Sequence, residues 1–89
     1  MKSLLDILTK EKELVDLINR YEDYKCIFEN EIEEIMMRLD YVSYELQEAD
    51  INRVKSRIEN IDKYISLTER ELETVRLEIR KYFKELLWV

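Results

Sequence analysis

The sequence predicts an all-α fold in which two long helices pack antiparallel as a coiled-coil-like hairpin. Apolar residues recur in alternating steps of three and four along most of the 89 residues, which is the repeat of a helical seam. The chain has no glycine to provide a positive-φ turn and no proline to interrupt a helix. Charged residues make up 40% and are mostly Glu, Lys and Arg, which favour helices.

The seam has two registers, and the jump between them predicts the turn. The first register visits Leu4, Ile7, Glu11, Leu14, Ile18, Tyr21, Lys25, Phe28, Ile32, Ile35, Leu39, Val42, Leu46 and Ala49. The second visits Ile51, Val54, Ile58, Ile61, Ile65, Thr68, Leu72, Val75, Ile79, Tyr82, Leu86 and Val89. A continued first register would have met Arg53, Ser56 and Asn60, which are polar. We therefore predict that the chain reverses direction within residues 47–52.

The first helix is predicted over about residues 3–48. Ser3 followed by Asp6 resembles a capping box, which marks a helix start. Two charged residues, Glu11 and Lys25, occupy seam positions of the a type in this helix. Polar residues at a positions commonly set the register or the number of partners in a coiled coil.

The second helix is predicted over about residues 51–88, with Asp50 as its N-cap. A second cap signal at residues 66–68 allows a break in this helix, and Asn30 allows one in the first helix. The heptad register continues across both points, which favours two unbroken helices. The length of 89 residues predicts one small domain spanning residues 1–89.

A turn within residues 47–52 also predicts which residues face each other across the seam. Leu46 would pair with Val54, and Leu39 with Ile61. The alternative is a structural rod, in which one unbroken helix forms a parallel coiled coil with a skip in the repeat near the predicted turn.

Apolar residues outside the seam predict self-association. Positions that flank the seam carry Leu8, Val15, Leu17, Tyr24, Met36, Tyr64 and Phe83, and positions farther from it carry Ile27, Leu67, Leu77 and Trp88. A stripe wider than the a and d positions is typical of bundles with more than two helices. We expect two hairpins to dimerise into a four-helix bundle, with a higher even oligomer as the second choice.

The charge is acidic overall and unevenly distributed. Residues 1–50 carry 14 acidic and six basic side chains, whereas residues 51–89 carry seven acidic and nine basic, which gives the net charge of −6. An acidic chain disfavours general binding to phosphate backbones. The single cysteine, Cys26, fits a reducing compartment, and no signal peptide or membrane span is visible, so we expect a cytoplasmic protein.

The residues that most catalytic sites require are scarce. There is no histidine, which removes the commonest general base and the Cys/His zinc sites, and there is no glycine loop to hold a phosphate. We therefore expect no enzymatic activity, no metal and no cofactor.

Three groups of residues are candidates for binding. The acidic run Glu29, Glu31, Glu33 and Glu34 and the strip Met37, Tyr41 and Tyr44 are candidates for a protein partner. A basic cluster in the last turns comprises Arg76, Arg80, Lys81 and Lys84. The acidic run also fits an ordinary solvated helix face.

The favoured function is a non-enzymatic protein–protein interaction module. Small acidic helical proteins of this kind often serve phages or plasmids as adaptors, assembly factors or inhibitors, and we expect one of these roles. The alternative is linked to nucleic acid, either as the dimerising part of a transcription regulator or as an acidic DNA mimic. The basic cluster would support the first form, and a continuous unpaired carboxylate ridge on the first helix would support the second.

Overall fold

The protein is a long hairpin of two antiparallel α-helices, as predicted. A computed structural model describes residues 3–87, in which α1 spans Leu4–Met37 and α2 spans Tyr44–Leu87. The Cα trace measures 71 × 18 × 14 Å. Because the chain folds back on itself, the alternative of one unbroken helix is wrong. Trp88 was predicted to end the second helix, and Val89 was predicted to be the last position of its seam. Both lie outside the described residues.

The predicted capping box begins α1. The Asp6 amide donates to Ser3 Oγ at 3.2 Å, and the Ser3 amide donates to Asp6 Oδ2 at 3.4 Å. Neither helix is interrupted at the points where a break was considered, near Asn30 and Thr68. Thr68 is buried in the seam, and its hydroxyl donates to the Tyr64 carbonyl oxygen at 2.7 Å. A polar residue is therefore accommodated in the seam without an unsatisfied hydroxyl group.

The two predicted heptad registers form the interface between the helices. Every seam position from Leu4 to Ile35 in α1, and from Ile51 to Tyr82 in α2, is buried or half-buried. The most buried group consists of Ile7, Leu14, Leu72 and Val75. Leu86 is a seam residue by register, but it is exposed, because within residues 3–87 α1 does not extend along the last turn of α2.

The two charged seam residues of α1 each bind an opposite charge on α2. Lys25 Nζ lies 2.8 Å from Asp62 Oδ1, and Arg76 Nε lies 3.1 Å from Glu11 Oε2. The hydrogen bond and the charge of Asp62 raise the pKa of Lys25 above its ordinary value. Both charged residues at a positions are therefore matched by an opposite charge on α2, and these ion pairs favour the observed alignment of the helices.

Aromatic side chains make further contacts across the seam. The rings of Tyr21 and Tyr64 stack with centroids 5.9 Å apart and planes inclined by 18°. The Arg57 guanidinium lies over the Phe28 ring, 5.9 Å from its centroid, within range of a cation–π contact. These pairs follow the same antiparallel alignment as the two ion pairs.

The predicted position of the turn is wrong. The connection spans residues 38–43, so the first helix ends well before residue 48 and the second begins well before residue 51. Leu39 lies in the connection and does not pack against Ile61. Leu46 and Val54 lie on the same helix, so they cannot pair across the seam.

The predicted N-cap of α2 is wrong for the same reason. Asp50 lies inside α2, and its carboxylate accepts hydrogen bonds from side chains rather than from the amides that begin a helix. Ser43 takes the capping role, because its Oγ accepts from the Leu46 amide at 3.2 Å.

The heptad repeat explains why the turn was misplaced although the seam positions from Leu4 to Ile35 and from Ile51 to Tyr82 were predicted correctly. Sliding one helix along the other by whole heptads leaves the same apolar positions facing each other, so the apolar pattern alone does not determine the alignment. With a turn near residue 50, Lys25 would have faced Arg76, which is two heptads along α2 from its actual partner Asp62. The actual alignment replaces a repulsion with an ion pair and also gives Glu11 a cation.

Proline substitution distinguishes the two turn positions. We expect Ala49→Pro to reduce the free energy of unfolding by about 3 kcal/mol or more, because it removes an amide hydrogen bond inside α2 and strains the preceding turn. Tyr44→Pro is the matched control, because proline is well accommodated at the first position of a helix. Urea unfolding followed by circular dichroism measures both. A harmless Ala49→Pro would mean that the turn lies within residues 47–52.

Candidate functional site at the hairpin tip

The end of α1 is closed by a side chain from α2. Gln47 Nε2 donates to the carbonyl oxygen of Ile35 at 2.7 Å and to that of Arg38 at 3.4 Å. The Ile35 carbonyl oxygen also accepts from the Arg38 amide at 3.2 Å, so Gln47 adds a second donor there and supplies one to the Arg38 carbonyl oxygen just beyond the helix. Gln47 lies four residues before Ile51 and is half-buried, which makes it a polar member of the second seam register.

A second set of hydrogen bonds holds the connection against α2. The Tyr41 hydroxyl donates to Asp50 Oδ2 at 3.0 Å, and Arg53 Nη2 donates to Asp50 Oδ1 at 2.9 Å. Partial burial and the neighbouring carboxylate raise the pKa of Tyr41 above its ordinary value, although the nearby Arg38 acts in the opposite direction. The phenol therefore remains protonated, and able to donate, at neutral pH.

Large apolar side chains lie on the outside of this polar framework. Leu39 is fully exposed, and the exposed fractions of Val42, Met37 and Tyr44 are 93%, 82% and 77%. Such a concentration is unusual for a surface that only contacts water. We refer to the following exposed residues as the apolar tip: Met36, Met37, Leu39, Val42, Tyr44 and Leu46.

The predicted partner-binding strip is only partly what the sequence suggested. Met37 and Tyr44 are exposed in the apolar tip, whereas Tyr41 is half-buried and belongs to the polar framework. Leu39 and Val42 were missed, because their spacing continues the first heptad register and assigned them to the seam. The N-cap residue Ser43, which directly precedes α2, is the sequence signal that could have identified them as part of the connection.

The acidic run does not form one continuous ridge. Glu29, Glu31, Glu33 and Glu34 fall at the e, g, b and c positions of the heptad, so they face different sides of α1. Between residues 3 and 87, none of the four forms an ion pair. Only Glu31 is half-buried, in a groove that it shares with Arg57.

Half of the net charge is nevertheless located at the tip. The same groove is lined by residues from Glu31 on α1 to Arg57 on α2, so residues 31–57 make up the end of the hairpin. This segment holds seven carboxylates and four cationic side chains, a formal charge of −3 out of −6 for the whole chain. Five of the carboxylates are exposed around the apolar tip: Glu33, Glu34, Asp40, Glu45 and Glu48.

The basic cluster lies at the opposite end of the hairpin. Arg76 is bound to Glu11, which leaves Arg80, Lys81 and Lys84 exposed on the last turns of α2. These residues do not converge with the acidic run or with the apolar tip.

Three further kinds of site are a metal centre, a membrane span and a reactive thiol. Within residues 3–87, no three Cys, Asp or Glu side chains are grouped so that they could hold a metal ion. Over the same range, neither helix has a stretch apolar enough and long enough to cross a membrane. The thiol of Cys26 is free and exposed.

Comparisons with protein-family models, with curated proteins and with solved structures return no match for this chain.

Replacing the Gln47 amide tests the framework of the tip. We expect Gln47→Glu to reduce the free energy of unfolding by about 1–3 kcal/mol at neutral pH, because a carboxylate oxygen would face two carbonyl oxygens. The loss should shrink as the pH falls through about 4 to 5, where the new carboxyl group gains a proton and can donate. Thermal unfolding as a function of pH measures this.

The control for that experiment is Glu48→Gln, the reverse exchange at the neighbouring exposed position. We expect it to change the unfolding free energy by about 0.5 kcal/mol or less. An equally small effect of Gln47→Glu would show that the amide does not hold the end of α1.

Proposed function

We propose that this protein is a non-enzymatic interaction module that binds another protein through its apolar tip. The supporting observation is the complete or near-complete exposure of Leu39 and Val42 at the end of the rod, where neither helix can cover them. Burying a large apolar side chain contributes about 1.5–3 kcal/mol, so a partner that covers several of them gains substantial affinity. Methionine and aromatic residues, which occur here, are enriched in protein interfaces.

The order of the tip also supports a binding role. The connection contains no positive-φ residue, and the hydrogen bonds of Gln47, Tyr41 and Ser43 fix its ends. A surface held in one conformation loses less entropy on binding than a flexible loop does. Polar groups stabilise the tip from within, so its apolar side chains remain free for a partner.

We further propose that the sides of the rod mediate homodimerisation into a four-helix bundle. Leu8 and Phe83, at e positions on one side, and Tyr24 and Tyr64, at g positions on the other, are all exposed in the single hairpin. Packing two hairpins side by side would cover one of these surfaces and leave the tip accessible. A higher even oligomer would cover both sides.

The nucleic-acid roles have less support. The basic cluster is reduced by the ion pair of Arg76 with Glu11, and the four carboxylates of the acidic run face different sides of α1. We propose a cytoplasmic location, because the single cysteine fits a reducing compartment.

Site-specific cross-linking tests the role of the tip. Leu39 is replaced by the photoreactive residue p-benzoylphenylalanine, and the protein is irradiated in cells of its source organism. The matched control carries the same residue at Ser56, which is exposed on the outer face of α2. We expect a discrete product with a second protein from position 39 and none from position 56.

Competition with unlabelled protein shows whether the cross-linked product depends on the side chains of the tip. Excess unmodified protein should abolish the product, whereas the double variant Leu39→Ser and Val42→Ser should not, because it lacks the two most exposed side chains of the tip. Equal products from both positions, or products of this chain with itself alone, would contradict the proposal.

Sedimentation equilibrium at micromolar concentration tests homodimerisation. The chain mass is 11.0 kDa, and we expect an apparent mass close to twice that value, because the apolar sides of the rod are covered in the dimer. Leu8→Lys with Phe83→Lys introduces charge on one side, and Tyr24→Lys with Tyr64→Lys does so on the other. Only the pair within the interface should shift the mass to that of one chain. A constant mass near 11 kDa for the unmodified protein would rule out the dimer.

A further inference from the structure

We propose that the protein segment bound by the apolar tip is a cationic amphipathic helix, an inference that rests on the proposed function and defines its partner chemically. The six apolar residues of the tip require an apolar face on the partner. The carboxylates around them require positive charge beside that face. A helix with lysine or arginine on one side and large apolar residues on the other provides both.

The charge of the tip determines the sign of the partner. Residues 31–57 carry a formal charge of −3, and one of their four cationic side chains, Arg53, is bound to Asp50. The exposed carboxylates lie within a few residues of the apolar tip along both helices, which is within the screening length of about 8 Å at physiological salt for the nearest of them. Positive charge on an approaching partner is therefore attracted before the apolar surfaces meet.

Charge alone does not describe the surface, because Leu39 and Val42 are far more exposed than the half-buried Tyr41, Gln47 and Asp50 of the framework. A partner with cations but no apolar face would leave Leu39 and Val42 in water. A partner with an apolar face but no cations would bring neutral groups against carboxylates and remove part of their hydration. Met36 and Met37 add unbranched side chains that can adapt to different apolar shapes.

A second copy of this chain is a poorer occupant of the tip. Two tips would oppose each other with the same negative charge. The opposite end carries exposed cations, but two rods that meet end to end can cover little more than their cross-section. The Cα trace is only 18 × 14 Å across, which puts such a contact at the small end of specific interfaces. A helix laid over the tip can contact both its end and its sides.

The negative charge of the tip disfavours nucleic acids and anionic lipid surfaces as its ligand. Nucleic acids and anionic lipid surfaces would each place negative charge beside the exposed carboxylates of the tip. Neither provides the cations that the exposed carboxylates of the tip attract, so a protein segment is favoured.

Three labelled peptides of equal length test the inference by fluorescence anisotropy with the full chain. The first is a helix-forming peptide of leucine and lysine with leucine on one face. The second replaces its lysines with glutamate, and the third scrambles the first so that the leucines no longer share a face. We expect saturable binding of the first peptide, at least about ten-fold weaker binding of the scrambled one, and no binding of the acidic one.

Variants of the protein localise the binding. Leu39→Ser with Val42→Ser should weaken binding of the leucine–lysine peptide by about ten-fold or more. Removing four charges at the tip should weaken it similarly and flatten its dependence on salt between about 50 and 500 mM. The tip set is Glu33→Gln, Glu34→Gln, Glu45→Gln and Glu48→Gln. The matched control set removes exposed carboxylates along the rod and should have a much smaller effect: Glu13→Gln, Glu59→Gln, Glu69→Gln and Glu73→Gln.

Several results would overturn the inference. Equal binding of the scrambled peptide would show that charge alone is recognised, and equal losses from the two glutamine sets would show that the tip is not the site. Tip-dependent binding to anionic lipid vesicles would identify a different ligand. Concentration-dependent end-to-end chains that are lost in the serine double variant would show that the tip binds a second copy.

The cross-linking experiment separates this inference from the proposed function. A product from position 39 whose cross-linked segment carries no net positive charge would overturn the cationic partner and leave tip binding intact. The absence of any product from that position would overturn the proposed function itself.

Discussion

The alignment of the two helices depends on the charged seam residues of α1. An apolar seam with a seven-residue repeat looks the same after a slide of one or two heptads, so hydrophobic burial leaves several alignments close in free energy. Lys25 with Asp62 and Glu11 with Arg76 distinguish among them. Each of these ion pairs contributes only about 0–1 kcal/mol, so they favour the observed alignment together with the hydrogen bonds that Ser43 and Gln47 make at the turn. Where the turn falls, and which side chains are left uncovered there, follow from this choice.

The sequence was informative about periodic features and uninformative about the exceptions to them. The seam, the capping box of Ser3 and the hairpin itself follow from repeating or local patterns, and they were predicted. The position of the turn was not, because Leu39 and Val42 continue the apolar rhythm while lying outside the interface. Conversely, Gln47 interrupts the rhythm but belongs to the second register. A pattern of apolar residues does not reveal whether an apolar side chain is covered or a polar one is buried.

The hairpin separates the groups that stabilise the fold from those available for binding. The apolar seam and its ion pairs hold the rod together, and hydrogen bonds from Gln47, Tyr41 and Ser43 hold its end. None of these groups belongs to the apolar tip, whose side chains contribute little to the core. The tip can therefore change in sequence without loss of the fold, which is a useful property for a module that recognises a particular partner.

The polar framework of the tip also has a consequence for the order of folding. Its bonds join residues only nine to twelve positions apart, whereas the ion pair near the open end joins residues 65 positions apart. Contacts that close short loops form at a smaller entropic cost, so the tip is the natural nucleus from which the helices zip together toward the termini. A ligand bound at the tip would stabilise this nucleus in its folded state. The free ends of the helices could then open and close repeatedly while the bound end stayed folded.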